Sequence, residues 1–406
     1  MQTTRTPEGA PIASANLASA RRGAAPVRRV RSVDIVRGAV MVLMALDHVR
    51  DYVQKVRVQP ENLAQSTAAL FATRWVTHFC APAFSLLAGV GIGISMNRGR
   101  SAREMSTFLL TRGLWLIVLD VAITPVLWRF SFNILPAFAL VLWALGLSMM
   151  VMAALVHLPR AIVAAGAIVM IATHNLLDGV GPESWGALRG LWHVLHVPGF
   201  AVPGKLFIGY PLVPWVAVMA LGWALATVYT WDDARRRRFL VTVGVAATLL
   251  FLVVRGLSGY GDPGPWSAQR STALTIASFL NARKYPPSLD FLLMTLGPTL
   301  AALALLETVR GRVVDWLSVY GRVPLFYYVV HIGVAHAVGV LLALVQHGQL
   351  MRITAITDPA AIPAWYGVSL PGVYVAWAIV VIAMYPLCRW FARLKQTRTD
   401  RWLQYL

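Results

Sequence analysis

Long apolar stretches separated by short polar segments recur along almost the whole chain. A helix needs about 20 apolar residues to cross about 30 Å of hydrocarbon. Ten segments come close to this requirement, at roughly 34–53, 75–96, 106–126, 133–156, 161–177, 206–229, 238–255, 290–307, 323–346 and 370–391. The pattern predicts an all-α polytopic membrane protein with about ten transmembrane helices. Two segments are the weakest: the first, whose uncharged stretch runs only from Gly38 to Leu46, and the fifth, which carries His174 and Asn175.

The composition agrees with a membrane protein. Of the 406 residues, 58% are hydrophobic and only 13% are charged, whereas a soluble domain has about 25% charged residues. A disordered or collagen-like chain is excluded on the same grounds. The net charge of +19, from 36 Lys and Arg against 17 Asp and Glu, would suggest nucleic acid in a soluble protein. In a membrane protein it first requires a topological explanation.

The distribution of the basic residues supplies that explanation. With the N-terminus inside, 22 of the 36 Lys and Arg residues fall on the cytoplasmic side, 11 fall on the outer side, and Arg37, Arg50 and Arg112 lie within spans. This bias follows the positive-inside rule and predicts that both termini lie in the cytoplasm. Attraction to anionic lipids accounts for the remaining excess, so no nucleic-acid partner is expected.

The ends of the chain differ from the apolar region. Residues 1–30 are basic and contain no apolar run typical of a signal peptide, so we expect a disordered cytoplasmic tail. We expect one transmembrane domain over 31–395 and a short cytoplasmic tail over 396–406. The two cysteines, Cys80 and Cys388, are too few for a metal cluster or a disulfide framework.

The long connections, 178–205, 256–289 and 347–369, all fall on the outer side. They contain tryptophans and acidic residues that suit sugar binding, although an ordinary interfacial aromatic belt is the favoured interpretation. His193 and His196 have a spacing that could hold a metal, but no third ligand is near in sequence. An amphipathic interfacial helix is favoured there, and no metal is expected.

Ionisable residues are concentrated in the first span, where each is costly and therefore a candidate functional group. Asp34 and Arg37 open the span and are three residues apart, so they can pair on one helix face. Asp47, Arg50 and Asp51 close it. Two interpretations of the aspartates remain open: a functional role, or an interfacial charge network that fixes the end of the helix.

Two histidines lie at matched depth in different spans. His48 is 11 residues beyond Arg37 and His331 is nine beyond Arg322, which corresponds to about 16 and 14 Å at helical rise. Imidazole is the side chain best suited to proton transfer near neutral pH. We therefore expect the first and ninth spans to pack with both rings facing one cavity near the midplane.

A transporter remains the competing class. Buried His48, Asp47, His331 and Asp120 could line a proton or solute path. The sequence shows no inverted repeat with broken helices, which argues against a transporter of that kind. Signatures of serine hydrolases, phosphate-binding loops and zinc peptidases are absent from the sequence.

Several spaced motifs resemble one family. Arg31-Ser-Val-Asp-x-x-Arg-Gly38, the run Pro82–Gly89 and Gly321-Arg322-x-Pro-Leu-x-Tyr-Tyr-x-x-His331 resemble the catalytic membrane domain of heparan-alpha-glucosaminide N-acetyltransferase. Tyr210–Trp215 and Lys284–Ser288 resemble its bacterial branch. The resemblance extends over about 28–395.

The resemblance implies a transmembrane acyltransferase fold that takes acetyl-CoA at the cytoplasmic face and acetylates an amino sugar, or another glycan or lipid-linked acceptor, on the other side. It places His331 on the family's catalytic histidine and His48 where the lysosomal enzyme has a catalytic asparagine. We group Asp47 with them as catalytic, and Arg37, Arg322 and Asp34 as donor-binding. Membrane lipids are the other expected partner. The sequence leaves open whether the protein forms a homodimer.

Overall fold

The computed structural model describes residues 30–351, 362–398, 400 and 403. Most of these residues are helical, which confirms the all-α fold class. The α-helices are α1 (Arg31–Val53), α2 (Ala68–Trp75), α3 (Cys80–Asn97), α4 (Ala102–Val118), α5 (Thr124–Arg129), α6 (Val141–Leu155), α7 (Arg160–Thr173), α8 (Arg189–Leu195), α9 (Trp215–Leu225), α10 (Asp233–Leu257), α11 (Thr272–Leu280), α12 (Leu289–Leu305), α13 (Arg312–Arg322), α14 (Pro324–His347) and α15 (Leu370–Thr397). Of the expected tails, residues 1–29 lie outside the described residues, and in the expected C-terminal tail residues 396–397 continue α15, while 399, 401, 402 and 404–406 lie outside the described residues.

Each of the ten expected segments contains a helix, but the helices differ in length. Within the described residues, six continuous helical stretches are long and apolar enough to cross a membrane: Ala68–Asn97, Ala102–Arg129, Arg160–Leu177, Asp233–Leu257, Pro324–His347 and Leu370–Thr397. Three shorter apolar helices are Val141–Leu155, Trp215–Thr230 and Leu289–Leu305. Helix α1 has 23 residues but carries charged residues at both ends. The polytopic architecture is confirmed, whereas six rather than ten helices meet the requirement for a full crossing.

A small sheet replaces helix at the start of two expected spans. Strands β1 (Ala137–Ala139), β2 (Gly199–Val202) and β3 (Leu206–Ile208) pair in the order β1-β3-β2. Strand β3 runs parallel to β1 and antiparallel to β2. The spans expected from 133 and 206 therefore begin as helix only at Val141 and Trp215. Prolines just before both helices disfavour helix there, and three-residue strands are too short to show an alternating pattern.

The third span is interrupted where it carries a carboxylate. Residues Leu119–Ile123 form a π-helical turn between α4 and α5. Asp120 in this turn accepts hydrogen bonds from the backbone N–H groups of Leu140 (2.6 Å) and Trp143 (2.9 Å). These are donors at the start of α6 that have no partner within the helix. Asp120 thus caps a neighbouring helix, which gives this buried carboxylate a structural role.

Glycines allow two helix pairs to pack backbone to backbone. A Cβ atom at Gly89 of α3 would overlap the carbonyl oxygen of Met219 in α9. A Cβ atom at Gly38 of α1 would overlap the carbonyl oxygen of Leu317 in α13. Gly91, two residues along α3, has nothing within 4 Å of such an atom. Small residues at helix interfaces give this close approach in membrane proteins.

Hydrogen bonds fix the C-terminal end of α1 against its neighbours. The hydroxyl of Tyr52 donates to the backbone oxygen of Trp128 in α5 (2.9 Å). The hydroxyl of Tyr366 lies within hydrogen-bonding distance of the backbone oxygens of Tyr52 (2.8 Å) and of Gly339 in α14 (3.0 Å). Helices α1, α5 and α14 therefore converge around His48.

Candidate active site

A cavity of about 550 Å³ lies at the C-terminal end of α1. Its lining combines one histidine, aromatic rings and a group of charged side chains from α1, from α2 and from the loops that follow α1 and α11. The residues that matter below are His48, Arg50, Arg57, Arg74, Trp128 and Lys284. The volume is within the range typical of small-molecule sites, about 300–1,000 Å³.

His48 and His331 are in direct contact. Nδ1 of His48 lies 2.8 Å from Nε2 of His331, and the two rings stack with centroids 5.0 Å apart. The expectation that the first and ninth spans bring these rings together is confirmed. The expectation that both face the cavity is wrong: His48 lines it, whereas His331 is fully buried behind His48.

The hydrogen-bond network assigns the protons of the two rings. Nδ1 of His331 lies 2.8 Å from the backbone oxygen of Tyr327, which is only an acceptor, so this nitrogen carries hydrogen. In a neutral ring Nε2 of His331 is then the acceptor, and Nδ1 of His48 must donate to it. Nε2 of His48 is left with a lone pair on the ring that lines the cavity.

Aromatic rings hold His48 in place. The Trp128 ring meets His48 edge to face at 4.8 Å between centroids, and Tyr328 does so at 6.4 Å. Both residues also line the cavity. The apolar faces of these rings limit rotation of the imidazole, which keeps its free nitrogen directed to one place.

Asp47 belongs to a charge network beside the histidines. Its carboxylate pairs with Arg50 (2.9 Å) and with Arg74, and Arg74 also pairs with Glu61 (2.7 Å). Burial alone would raise the pKa of Glu61, but the neighbouring His78 and Arg74 side chains lower it well below the ordinary value. A network that fixes the end of α1, one of the two interpretations left open by the sequence, is therefore present.

The residues expected to bind the donor lie at the opposite end of α1. Arg37 Nη1 donates to the backbone oxygen of Gly321 (3.2 Å) and pairs with Asp34 (3.4 Å), while Arg322 is exposed. Among the described residues that line the cavity, Arg37, Arg322 and Asp34 do not appear. Arg37 and His48 are therefore about 16 Å apart along the axis of α1, and the expected donor-binding residues do not belong to the cavity.

Three cations in the cavity were not expected at the site from the sequence. Arg57 and Arg74 contributed only to the count of outer basic residues, and Lys284 appeared only in that count and as the first residue of the Lys284–Ser288 motif. Lys284 lies over the rings of Tyr210 (5.9 Å) and Tyr285 (5.2 Å). Burial would raise the pKa of Tyr285, but the charges of Lys284 and Arg74 lower it below its usual value. The local potential is therefore positive.

The histidines of the outer connection have other partners. Nδ1 of His193 lies 2.9 Å from the backbone oxygen of Val197, and Nε2 of His196 lies 3.2 Å from Asp178. The short helix α8 is present at this position, as favoured from the sequence. Within the described residues, the structure contains no group of three or more His, Cys, Asp or Glu side chains that could hold a metal ion.

The fold and this site define a class: a polytopic helical membrane protein with a histidine pair, of which one ring is buried and the other lines a charged cavity. The model of the heparan-alpha-glucosaminide N-acetyltransferase catalytic family matches residues 29–260, more than half of the chain. The chain belongs to this family, and is thus a membrane protein of the N-acetyltransferase type. No curated protein matches it. The matched region contains His48 but ends before α14, which carries His331. The match therefore does not cover His331, and the observation that links His331 to the site is its contact with His48.

Proposed function

We propose that this protein transfers the acetyl group of acetyl-CoA to the amine of a sugar, or of another glycan or lipid-linked acceptor, at the cavity beside His48. The observation that carries the proposal is the hydrogen bond between His48 and His331, which in a neutral pair leaves Nε2 of His48 without a proton. Membership of an N-acetyltransferase family supports the reaction type. We propose residues 31–395 as one catalytic domain.

The histidine pair suits general-base catalysis. As the acceptor amine attacks the thioester carbonyl carbon, a C–N bond forms, and Nε2 of His48 takes the amine proton. The C–S bond then breaks, and the proton passes from His48 to the departing CoA sulfur. The positive charge on His48 is shared with His331 through the Nδ1–Nε2 bond. His331 is thus a positioning residue, and His48 is the group that touches the substrate.

Asp47 supports His48 through charge. It precedes His48 in the chain and is held by Arg50 and Arg74. Its carboxylate lies close enough to favour a transient imidazolium, although it makes no hydrogen bond to either ring within the described network. We propose an electrostatic contribution for Asp47 rather than proton transfer.

We further propose that the donor enters from the cytoplasm and that the cavity faces the outside. The 22-to-11 distribution of Lys and Arg supports this orientation in a bacterial inner membrane. Arg322 is exposed at the end of α13, where a guanidinium can bind a CoA phosphate. The pantetheine arm would then cover the depth between this end and His48, about 16 Å.

Reconstituted vesicles test the proposal. Acetyl-CoA labelled in the acetyl group is placed inside and glucosamine outside, and labelled N-acetylglucosamine is measured outside. We expect transfer by the natural protein and by His157→Ala, which changes an exposed histidine far along the chain. We expect loss of transfer in His48→Ala. Uptake of the unmodified sugar without acetylation would instead support a transporter.

A further inference from the structure

The cavity contains guanidinium donors that are buried without a partner. Nη1 of Arg57 donates to the backbone oxygen of Asp51 (3.0 Å), but its Nε and Nη2 have no hydrogen-bond partner among the described residues. Nη1 of Arg50 also has no hydrogen-bond partner among the described residues, and the Arg50 side chain is more than nine-tenths buried. Buried charged donors are costly when left unsatisfied. Such donors at the lining of a cavity indicate a ligand with acceptor atoms.

The charges of the lining indicate the sign of that ligand. Four cations line the cavity, Arg50, Arg57, Arg74 and Lys284, against the two carboxylates of Asp47 and Asp51. Glu61 pairs with Arg74 and so neutralises a third positive charge. No carboxylate of the described residues lies within ion-pairing distance of Lys284, whose ammonium is over two aromatic rings. One positive charge therefore remains for a bound group.

The geometry of the free donors indicates its chemistry. Nε and Nη2 lie on the same edge of the Arg57 guanidinium and form a fork that binds two oxygens of a phosphate or carboxylate. Arg50 and Arg57 are held on the same residue, Asp51, by separate hydrogen bonds. Both donor groups are therefore fixed near one another before any ligand binds.

We propose that Arg57, Arg50 and Lys284 form an oxyanion subsite for the acceptor, which would then be an anionic amino sugar with a phosphate or carboxylate group close to its amine. This inference depends on the proposed function, because it assigns the subsite to the acceptor of that reaction. Binding of the anion beside the histidine pair would place the amine at Nε2 of His48. A neutral sugar would lack this anchor.

Equilibrium binding without acetyl-CoA tests the subsite apart from catalysis. The full chain in lipid nanodiscs is titrated calorimetrically with glucosamine 6-phosphate, glucosamine and CoA. We expect the phosphorylated sugar to bind at least tenfold more tightly than glucosamine, and Arg57→Gln to reduce this preference about tenfold. Arg57→Lys keeps the charge but loses the fork, so it should restore only part of the preference.

Arg189→Gln is the matched control, because Arg189 is an exposed arginine of the outer connection and does not line this cavity. The proposal is overturned if both sugars bind alike, if Arg189→Gln has the same effect as Arg57→Gln, or if Arg57→Gln weakens CoA instead of the sugar phosphate. That last outcome would assign the oxyanion to the donor. Selective binding of the sugar phosphate without any acetyl transfer would support the subsite and contradict the proposed reaction alone.

Discussion

Nδ1 of His48 lies 2.8 Å from Nε2 of His331, and the second nitrogen of His331 is held by the backbone oxygen of Tyr327. The pair resembles the base and orienting residue of a catalytic triad, with a neutral ring in the place usually taken by a carboxylate. A neutral partner fixes the tautomer of His48 without adding a formal charge to the buried pair. The carboxylate of Asp47, the residue that precedes His48, is already paired with two arginines.

The first prediction concerns this pair. His48→Ala and His331→Ala should each leave the protein folded and able to bind CoA, while acetyl transfer falls by about 10² to 10⁴, the range for loss of a general base. The double variant should be scarcely slower than either single variant, because residues that act as a unit are not additive. Single-turnover transfer and CoA affinity, measured on the same preparations, check this.

A conservative change separates the two roles. In His331→Gln the side-chain carbonyl can still accept from Nδ1 of His48, so we expect transfer between that of His331→Ala and that of the natural protein. Wild-type transfer in His331→Ala would end its assignment as a positioning residue. Wild-type transfer in His48→Ala would end the proposed mechanism.

The second prediction concerns the cytoplasmic end of α1. If Arg322 binds a CoA phosphate, Arg322→Ala should weaken CoA by about 1.5–3 kcal/mol, as for a hydrogen bond to a charged group, and raise KM more than it lowers kcat. Arg37→Ala should differ, because Arg37 joins α1 to Gly321. We expect Arg37→Ala to lower the thermal midpoint as well. An unchanged KM for acetyl-CoA in Arg322→Ala would contradict cytoplasmic entry of the donor at this residue.

The approach of the two histidines was predictable in part from helical rise. His48 lies eleven residues beyond Arg37 within α1, but the nine residues from Arg322 to His331 cross the break at Val323 between α13 and α14, so a fixed rise applies in full only to His48. The division of roles that we propose for them could not be predicted, since it depends on rotation of the helices and on the carbonyl of Tyr327. Sequence spacing contains no information on which of two rings faces a cavity.

The cluster of cations in the cavity could not be predicted from the sequence for a different reason. Arg57 follows α1, Arg74 lies near the end of α2, and Lys284 comes from a distant connection, so no spacing relates them. The small sheet was missed because its strands of three or four residues are too short to show a period. By contrast, the helical segments were predictable, because each long apolar run must satisfy its backbone internally within a membrane.

The third prediction tests the orientation. Cys80 and Cys388 are buried, so new cysteines can be labelled selectively. In spheroplasts, an impermeant maleimide should label Trp266→Cys, in the 256–289 connection, and should not label Arg238→Cys until the membrane is opened. Arg238 is exposed and is preferable to Arg236, whose side chain pairs with Glu307 (2.8 Å). The reverse labelling pattern would mean that the cavity faces the cytoplasm and would contradict the proposed orientation.

The last prediction tests the close packing of α3 on α9. Gly89→Ala inserts a methyl group where the carbonyl of Met219 already lies, and we expect a loss of about 1–3 kcal/mol, as is typical of overpacking. Gly91→Ala is the matched control, because the same methyl group would meet nothing within 4 Å. Alanine also has a higher helix propensity than glycine. Thermal unfolding in one detergent should therefore show a lower midpoint for Gly89→Ala and an equal or higher midpoint for Gly91→Ala. Equal midpoints for the two variants would mean that α3 and α9 do not approach as closely as described. Because α3 carries Cys80 and Phe84 into the lining of the cavity, Gly89→Ala should also reduce acetyl transfer, and Gly91→Ala should leave it unchanged.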